Sequence, residues 1–154
     1  MKTEEIQLRN EAIRTDAPPL LREIPEAQAR SLHVLVVDDE PGVREVLIQY
    51  LRLDGHTVAT ATNGREGLER FFEDRYDAVV TDYAMPELFG DKLAAAIKQA
   101  SPLTPVILLT GFGNLMQAPP TGSAGPDVIL SKPIRLSKFR ETLASIVEKS
   151  ALRG

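Results

Sequence analysis

The spacing of apolar residues along the chain changes repeatedly between Leu32 and Glu148. Five short runs are rich in β-branched and other apolar residues, and each ends close to a polar residue, which is typical of β-strands. These runs are HVLVVDD, HTVATAT, DAVVTD, PVILLT and DVILSK. Between the first four runs and after the fifth, apolar residues recur at every third or fourth position, a spacing that predicts amphipathic helices.

Four helices are predicted from this spacing. Pro41 suits the first position of the first helix and Gly55 its end, while Asn63 and Glu66 form a capping-box signal for the second. The predicted buried faces are Val43, Val46, Leu47, Tyr50 and Leu51 in the first helix, Leu68, Phe71 and Phe72 in the second, Leu93, Ala96, Ile97 and Ala100 in the third, and Leu136, Phe139, Leu143, Ile146 and Val147 in the last.

Strands that alternate with helices predict an α/β fold with a parallel sheet covered by helices on both faces. The first, third and fourth runs are continuously apolar, as expected for interior strands, whereas the second alternates weakly and suits an edge. We therefore expect a doubly wound sheet of five parallel strands in the flavodoxin-like order 2-1-3-4-5. The topological switch point, where the strand order reverses, then lies between strands one and three.

Two segments do not follow this alternation of strands and helices. Residues 1–30 are rich in charge and poor in apolar residues, which indicates an N-terminal extension or linker ahead of one domain over residues 31–150. The segment GFGNLMQAPPTGSAGPD, residues 111–127, stands where a helix should connect strands four and five. Its three prolines and four glycines predict that this fourth helix is short or missing.

Candidate reactive residues follow the predicted strands. Asp38 and Asp39 end the first strand, Asp82 the third, Thr110 the fourth and Lys132 the fifth. Since ligands bind at the carboxyl ends of the strands in such sheets, these side chains should share one rim. Clustered carboxylates without His or Cys favour Mg²⁺, or Mn²⁺ in its place. A carboxylate, a divalent cation and an ammonium together suit phosphoryl transfer.

Composition narrows the function classes. The 154 residues are 43% apolar and 26% charged, with a net charge of −4 and no cysteine. We therefore expect neither nucleic-acid nor membrane partners, no disulfide or thiolate chemistry, and a cytoplasmic location. His33 and His56 flank strand starts at the opposite rim, so both are interpreted as surface residues.

Four motifs, taken in order, resemble the receiver domain of two-component response regulators and hybrid sensor histidine kinases. They are VVDDEP, the D-x-x-M-P-x-x-x-G pattern of Asp82 to Gly90, LLTG around Thr110, and SKP at Lys132. The resemblance covers about Leu32 to Glu148. One departure from the family is Ile129, which stands where receivers usually carry Tyr or Phe.

The resemblance implies a metal site and a phosphoacceptor. Asp39 would ligate Mg²⁺ directly, Asp38 through water, and the backbone carbonyl of Ala84 would be a further ligand. Asp82 would be a further metal ligand, and it would accept the phosphoryl group from a histidine kinase or a histidine phosphotransfer protein.

The resemblance also implies how the phosphoryl group is held and sensed. Thr110 would hydrogen-bond it, and Lys132 would pair with its oxygens, on a loop with a cis peptide at Pro133. The output would be a conformational change sensed by an unknown downstream protein, with no effector domain in this chain. The protein would then be a signalling switch that promotes only its own phosphorylation and dephosphorylation, and not an enzyme.

Three other function classes remain as alternatives. A receiver-like scaffold would use the same fold without phosphorylation. An aspartyl-nucleophile phosphatase of the haloacid dehalogenase type would need an acid at the position of Ala84. A flavin carrier would need a phosphate loop in place of the acids after the first strand.

Overall fold

The computed structural model describes residues 30–111 and 125–153. Within these residues, five strands and four helices follow one another along the chain. They are β1 (His33–Val37), α1 (Pro41–Leu53), β2 (Thr57–Ala61), α2 (Gly64–Glu73), β3 (Ala78–Asp82), α3 (Gly90–Ala100), β4 (Val106–Thr110), β5 (Val128–Ser131) and α4 (Leu136–Arg153).

The five strands form one parallel sheet in the order β2-β1-β3-β4-β5, which confirms the predicted fold class. The strand ends are level, since Val37 pairs with both Ala61 and Thr81, and Asp82 pairs with Leu109. Residues that follow β1, β3 and β5 therefore emerge at one rim of the sheet.

Successive strand residues point to opposite faces of the sheet and pack into two hydrophobic cores, one on each face. Val34, Val36 and Val80 face one layer, where α1 and α4 contribute Leu47, Leu51, Phe139 and Leu143. Leu35, Val37 and Val79 face the other layer, which holds residues of α2 and α3 such as Phe71, Leu93 and Ile97. Because both faces are covered, the interior strands are apolar throughout, as their sequence predicts.

Three residues predicted to be buried in helices lie outward instead. Phe72 is 63% exposed and Val46 is 41% exposed, and Ala100 is also exposed. Successive helical residues point about 100° apart, so an inward Phe71 or Leu47 turns its neighbour toward solvent. Phe72 keeps an edge contact with the ring of Phe71, with ring centroids 5.6 Å apart.

Two predictions concern residues that the structure does not describe. The N-terminal extension, residues 1–30, lies outside the described residues except for Arg30, and so does most of the segment in which the fourth helix was expected to be short or missing. Among the described helices, none is both long enough and apolar enough to cross a bilayer.

His56 was interpreted as a surface residue, and that interpretation is wrong. The residue is 6% exposed, and its Nδ1 accepts a hydrogen bond from the backbone N–H of Leu32 at 3.0 Å. An accepting Nδ1 requires a neutral ring with its proton on Nε2. Burial lowers the pKa of His56, while the carboxylates of Asp54 and Asp77 act in the opposite direction.

We predict that stability falls as the pH is lowered from 7 toward 5. Unfolded His56 binds a proton near its ordinary pKa of about 6.5, whereas the folded ring, with a lowered pKa, resists protonation. Between those two pKa values the free energy of unfolding should fall by up to about 1.4 kcal/mol per pH unit.

Urea unfolding of the wild type and of His56→Gln would measure this effect, because Gln retains an acceptor for Leu32 but cannot titrate. The other groups around His56, including Asp54 and Asp77, are the same in both proteins. Arg140, which forms two hydrogen bonds to Asp54 at 2.7 and 2.8 Å, is present in both proteins as well. The same pH dependence in the two proteins would refute this assignment.

Candidate functional site

The ammonium group of Lys132 lies among three carboxylates at the rim. Its Nζ is 3.0 Å from Asp82 Oδ1, 3.4 Å from Asp38 Oδ2 and 3.9 Å from Glu40 Oε1. Asp82 is the last residue of β3, Asp38 directly follows β1, and Lys132 directly follows β5. The parallel register thus brings together side chains that lie far apart in the sequence.

Asp38 is the most enclosed of these acids. The residue is fully buried, and its Oδ1 accepts the backbone N–H of Glu40 at 2.9 Å. Its Oδ2 has no hydrogen-bond partner, although the ammonium of Lys132 lies nearby. A buried carboxylate oxygen without a hydrogen bond is costly, so this position favours a further positive partner.

Burial dominates the electrostatics of the site. It raises the pKa of Asp38, and the nearby charge of Asp82 adds to this effect, while the Glu40 amide and Lys132 oppose it. Burial likewise raises the pKa of Asp82 against the stabilising contact with Lys132. Burial works to lower the pKa of Lys132, but hydrogen bonding to Asp82 and the charges of Asp38, Asp82 and Glu40 leave it raised.

A second group of acids overlaps the first. Asp38, Asp39 and Glu40 each present a carboxylate oxygen, and these oxygens lie within 4.8 Å of one another. Sequence reasoning did not assign Glu40 to the site. The available signal was its position directly after two acids and directly before the first residue of α1.

The donors present fit a hard divalent cation. All are oxygens, and the buried Oδ2 of Asp38 has no hydrogen-bond partner, although it lies 3.4 Å from the ammonium of Lys132. Oxygen-only clusters are the ligands that Mg²⁺ prefers, and Mn²⁺ accepts the same donors. Ala84, whose carbonyl was the fourth predicted ligand, lies exposed on the loop after Asp82.

Thr110 completes the predicted set at the end of β4. It is 1% exposed, and its backbone carbonyl accepts the N–H of Lys132 at 2.9 Å. The cis peptide expected at Pro133 is also present, between Lys132 and Pro133. The backbone of β4 is therefore hydrogen-bonded directly to the residue that carries the ammonium group.

Comparison with known families matches residues 34–144 to the response regulator receiver domain. The match covers more than half of the chain. The chain belongs to the receiver-domain family. Receiver domains are signalling domains of two-component response regulators, and they normally use Mg²⁺ bound in an acidic pocket.

Curated relatives share this domain as part of longer proteins. The transcriptional regulatory protein GlrR of Escherichia coli (strain K12) is 34% identical over 119 residues, which are 77% of this chain and 27% of GlrR. The response regulator MprA of Mycobacterium ulcerans is 33% identical over 122 residues, 79% of this chain and 53% of MprA. The chain thus spans about a quarter to a half of these relatives.

Solved structures are similar over the same region. A response regulator receiver domain protein from Clostridium thermocellum has a TM-score of 0.72 and 32% identity, covering 79% of this chain and 98% of that one. The response regulator TrrA from Thermotoga maritima, in complex with Mg²⁺-BeF, has a TM-score of 0.67 and 32% identity. The match covers 74% of this chain and 97% of the TrrA chain.

The loop after Asp82 explains the glycine that ends the receiver motif. The N–H of Gly90 donates to the carbonyl of Tyr83 at 2.8 Å. A Cβ at Gly90 would overlap the carbonyl oxygen of Asp82 and lie 2.8 Å from Leu108 Cδ1. Within the same loop, Leu88 donates to the carbonyl of Pro86, and the residue between them, Glu87, has a left-handed φ of 69°. The loop therefore folds tightly against the backbone of Asp82.

We predict that Gly90→Ala destabilises this receiver domain by about 2 kcal/mol or more, because the new methyl group must displace the Asp82 backbone or the loop. Gly42→Ala is the matched control, since a Cβ at Gly42 meets nothing within 4 Å. That control should leave stability unchanged or raise it by up to about 1 kcal/mol, as Ala favours a helix over Gly. Urea unfolding measures both, and equal effects would show that the Gly90 contact is unimportant.

Proposed function

We propose that Asp82 accepts a phosphoryl group from a phosphorylated histidine of a histidine kinase or a histidine phosphotransfer protein. A carboxylate oxygen of Asp82 forms a bond to phosphorus while the bond from phosphorus to the histidine nitrogen breaks. The electron pair of that bond stays on the donor imidazole, which takes up a proton. The product is an aspartyl phosphate, and the chain acts as a signalling switch without turnover of an external substrate.

The observation that carries this proposal is the 3.0 Å contact between Lys132 Nζ and Asp82 Oδ1. A fixed ammonium at this distance from the nucleophile can neutralise charge on phosphoryl oxygens as they approach. The same ammonium also screens Asp82 from Asp38, so that the nucleophile can remain ionised within an acidic site. Asp82 is 5% exposed, so its carboxylate can be reached from the rim, whereas Asp38 is closed off.

The remaining residues support the transfer in different ways. Asp38, Asp39 and Asp82, with the Ala84 carbonyl, would hold Mg²⁺ or Mn²⁺, and the cation supplies charge neutralisation at the phosphoryl group when bound. Thr110 would hydrogen-bond the transferred group. Because its backbone is bonded to Lys132, movement of Thr110 is coupled to β4 and to the loop that carries the ammonium.

One solved relative supports the cation and the phosphoryl group of this proposal. The response regulator protein TrrA is in complex with Mg²⁺-BeF, which is consistent with a cation and a phosphoryl-like group in a site of this kind. The donor would be a histidine kinase or phosphotransfer protein, and the recipient of the signal a protein of unknown type. The expected absence of nucleic-acid and membrane partners and the cytoplasmic location remain predictions from the sequence.

Incubation with acetyl phosphate and Mg²⁺ should add one phosphoryl group to the intact protein, measured by mass spectrometry. Asp82→Asn should gain none, because the amide cannot act as the nucleophile. Asp91→Asn, which removes a carboxylate from the first turn of α3, should be modified like the wild type. Modification of Asp82→Asn, or none in the wild type, would contradict the proposal and favour an unphosphorylated scaffold.

A further inference from the structure

Glu40 occupies the N-cap position of α1 but does not cap the helix. Its backbone is extended, with φ −90° and ψ 116°, and its side chain makes no capping hydrogen bond. Instead, its carboxylate lies 3.9 Å from Lys132 Nζ while the side chain remains 64% exposed. The side chain is therefore directed along the rim, toward the proposed phosphoacceptor site.

Two independent observations place Glu40 beside a position that favours a cation. One of its carboxylate oxygens lies within 4.8 Å of oxygens from Asp38 and Asp39. Within that group, the fully buried Oδ2 of Asp38 has no hydrogen-bond partner. The acids of the rim, including Asp82, number four, and two cationic side chains lie beside them: Lys132, and Arg44, whose guanidinium donates a hydrogen bond to the backbone carbonyl of Asp38 at 2.7 Å. With all of these groups ionised, four negative charges face two positive charges.

We propose that Glu40 is a further acidic residue of the divalent-cation site, acting from its solvent side to raise the affinity for Mg²⁺. This inference rests on the proposed function of the same site. Asp38 is buried, and the charge of Asp82 is partly neutralised by Lys132. The exposed carboxylate of Glu40 therefore adds negative charge on the solvent side of the site, where an incoming cation first arrives. Glu40 also contacts Lys132, and a cation bound beside Glu40 competes with the ammonium for that carboxylate.

Glu40→Gln tests the inference because it removes the charge and keeps the shape. The helix cap should be unaffected, since the Glu40 side chain makes no capping bond and its backbone N–H still donates to Asp38. Isothermal titration calorimetry of the full chain with MgCl₂ should show an affinity about fivefold weaker than that of the wild type. This loss is what screened attraction between a divalent cation and one nearby exposed charge implies.

Glu45→Gln is the matched control. It makes the same change in net charge on the same helix, at an exposed position where the carboxylate accepts a hydrogen bond from Gln49 at 3.5 Å. Its affinity for Mg²⁺ should change by less than twofold. Equal affinities in Glu40→Gln and the wild type would overturn the inference, and so would equal losses in both variants, because the effect would then come from net charge alone.

The outcome also separates this inference from the function on which it rests. If the wild type binds Mg²⁺ and Glu40→Gln binds it equally well, only the role of Glu40 is overturned. If the wild type binds no Mg²⁺ in the titration, the cation site itself is overturned, and with it the proposed phosphoacceptor chemistry. A fivefold loss confined to Glu40→Gln would support both.

Discussion

The ammonium of Lys132 holds together carboxylates that would otherwise repel one another at the carboxyl edge of the sheet. It is 3.0 Å from Asp82 and 3.4 Å from Asp38, so one positive charge links the ends of β1, β3 and β5. Burial nevertheless raises the pKa of both acids, which means that Lys132 offsets only part of the cost of ionising them. Without another cation, the negative charge of these carboxylates is therefore only partly neutralised.

The fold supplies this arrangement through its register. Parallel strands with level ends bring Asp38 and Asp82 to the same edge of the sheet, where Asp38 is fully buried. Gly90 allows the next loop to press against the Asp82 backbone, so that the acid is held by its own main chain as well as by Lys132. The clustered carboxylates at the rim lower the free energy of unfolding, and burial of apolar side chains in the two hydrophobic cores offsets this loss, as is common at functional sites.

The strand order and most of the candidate site followed from sequence patterns because those patterns have direct physical causes. Buried parallel strands must be apolar, so the acids and the lysine that interrupt them had to lie at strand ends. The resemblance to receivers added the cis peptide at Pro133. The ligand set at the metal, including the Ala84 carbonyl, stays a prediction.

Other features depended on packing that one-dimensional patterns do not contain. The spacing of Phe71 and Phe72 cannot say which ring turns inward. His56 lines one pocket together with Phe139 and Arg140 of α4, which lie more than eighty residues away in the sequence. Glu40 was missed because an acid at a helix start is usually explained by the helix itself.

The buried acids should destabilise the cation-free protein, and Asp38→Asn tests this most directly. A carboxyl group with a raised pKa contributes stability below its unfolded pKa of about 4 and loses that contribution as the pH rises through the folded pKa. At pH 7 without divalent cations, Asp38→Asn should therefore have a larger free energy of unfolding in urea than the wild type.

Saturating Mg²⁺ should then stabilise the wild type more than the variant, because binding to the folded state adds RT ln(1 + [Mg²⁺]/Kd). A cation-free wild type that is more stable than Asp38→Asn would contradict the account.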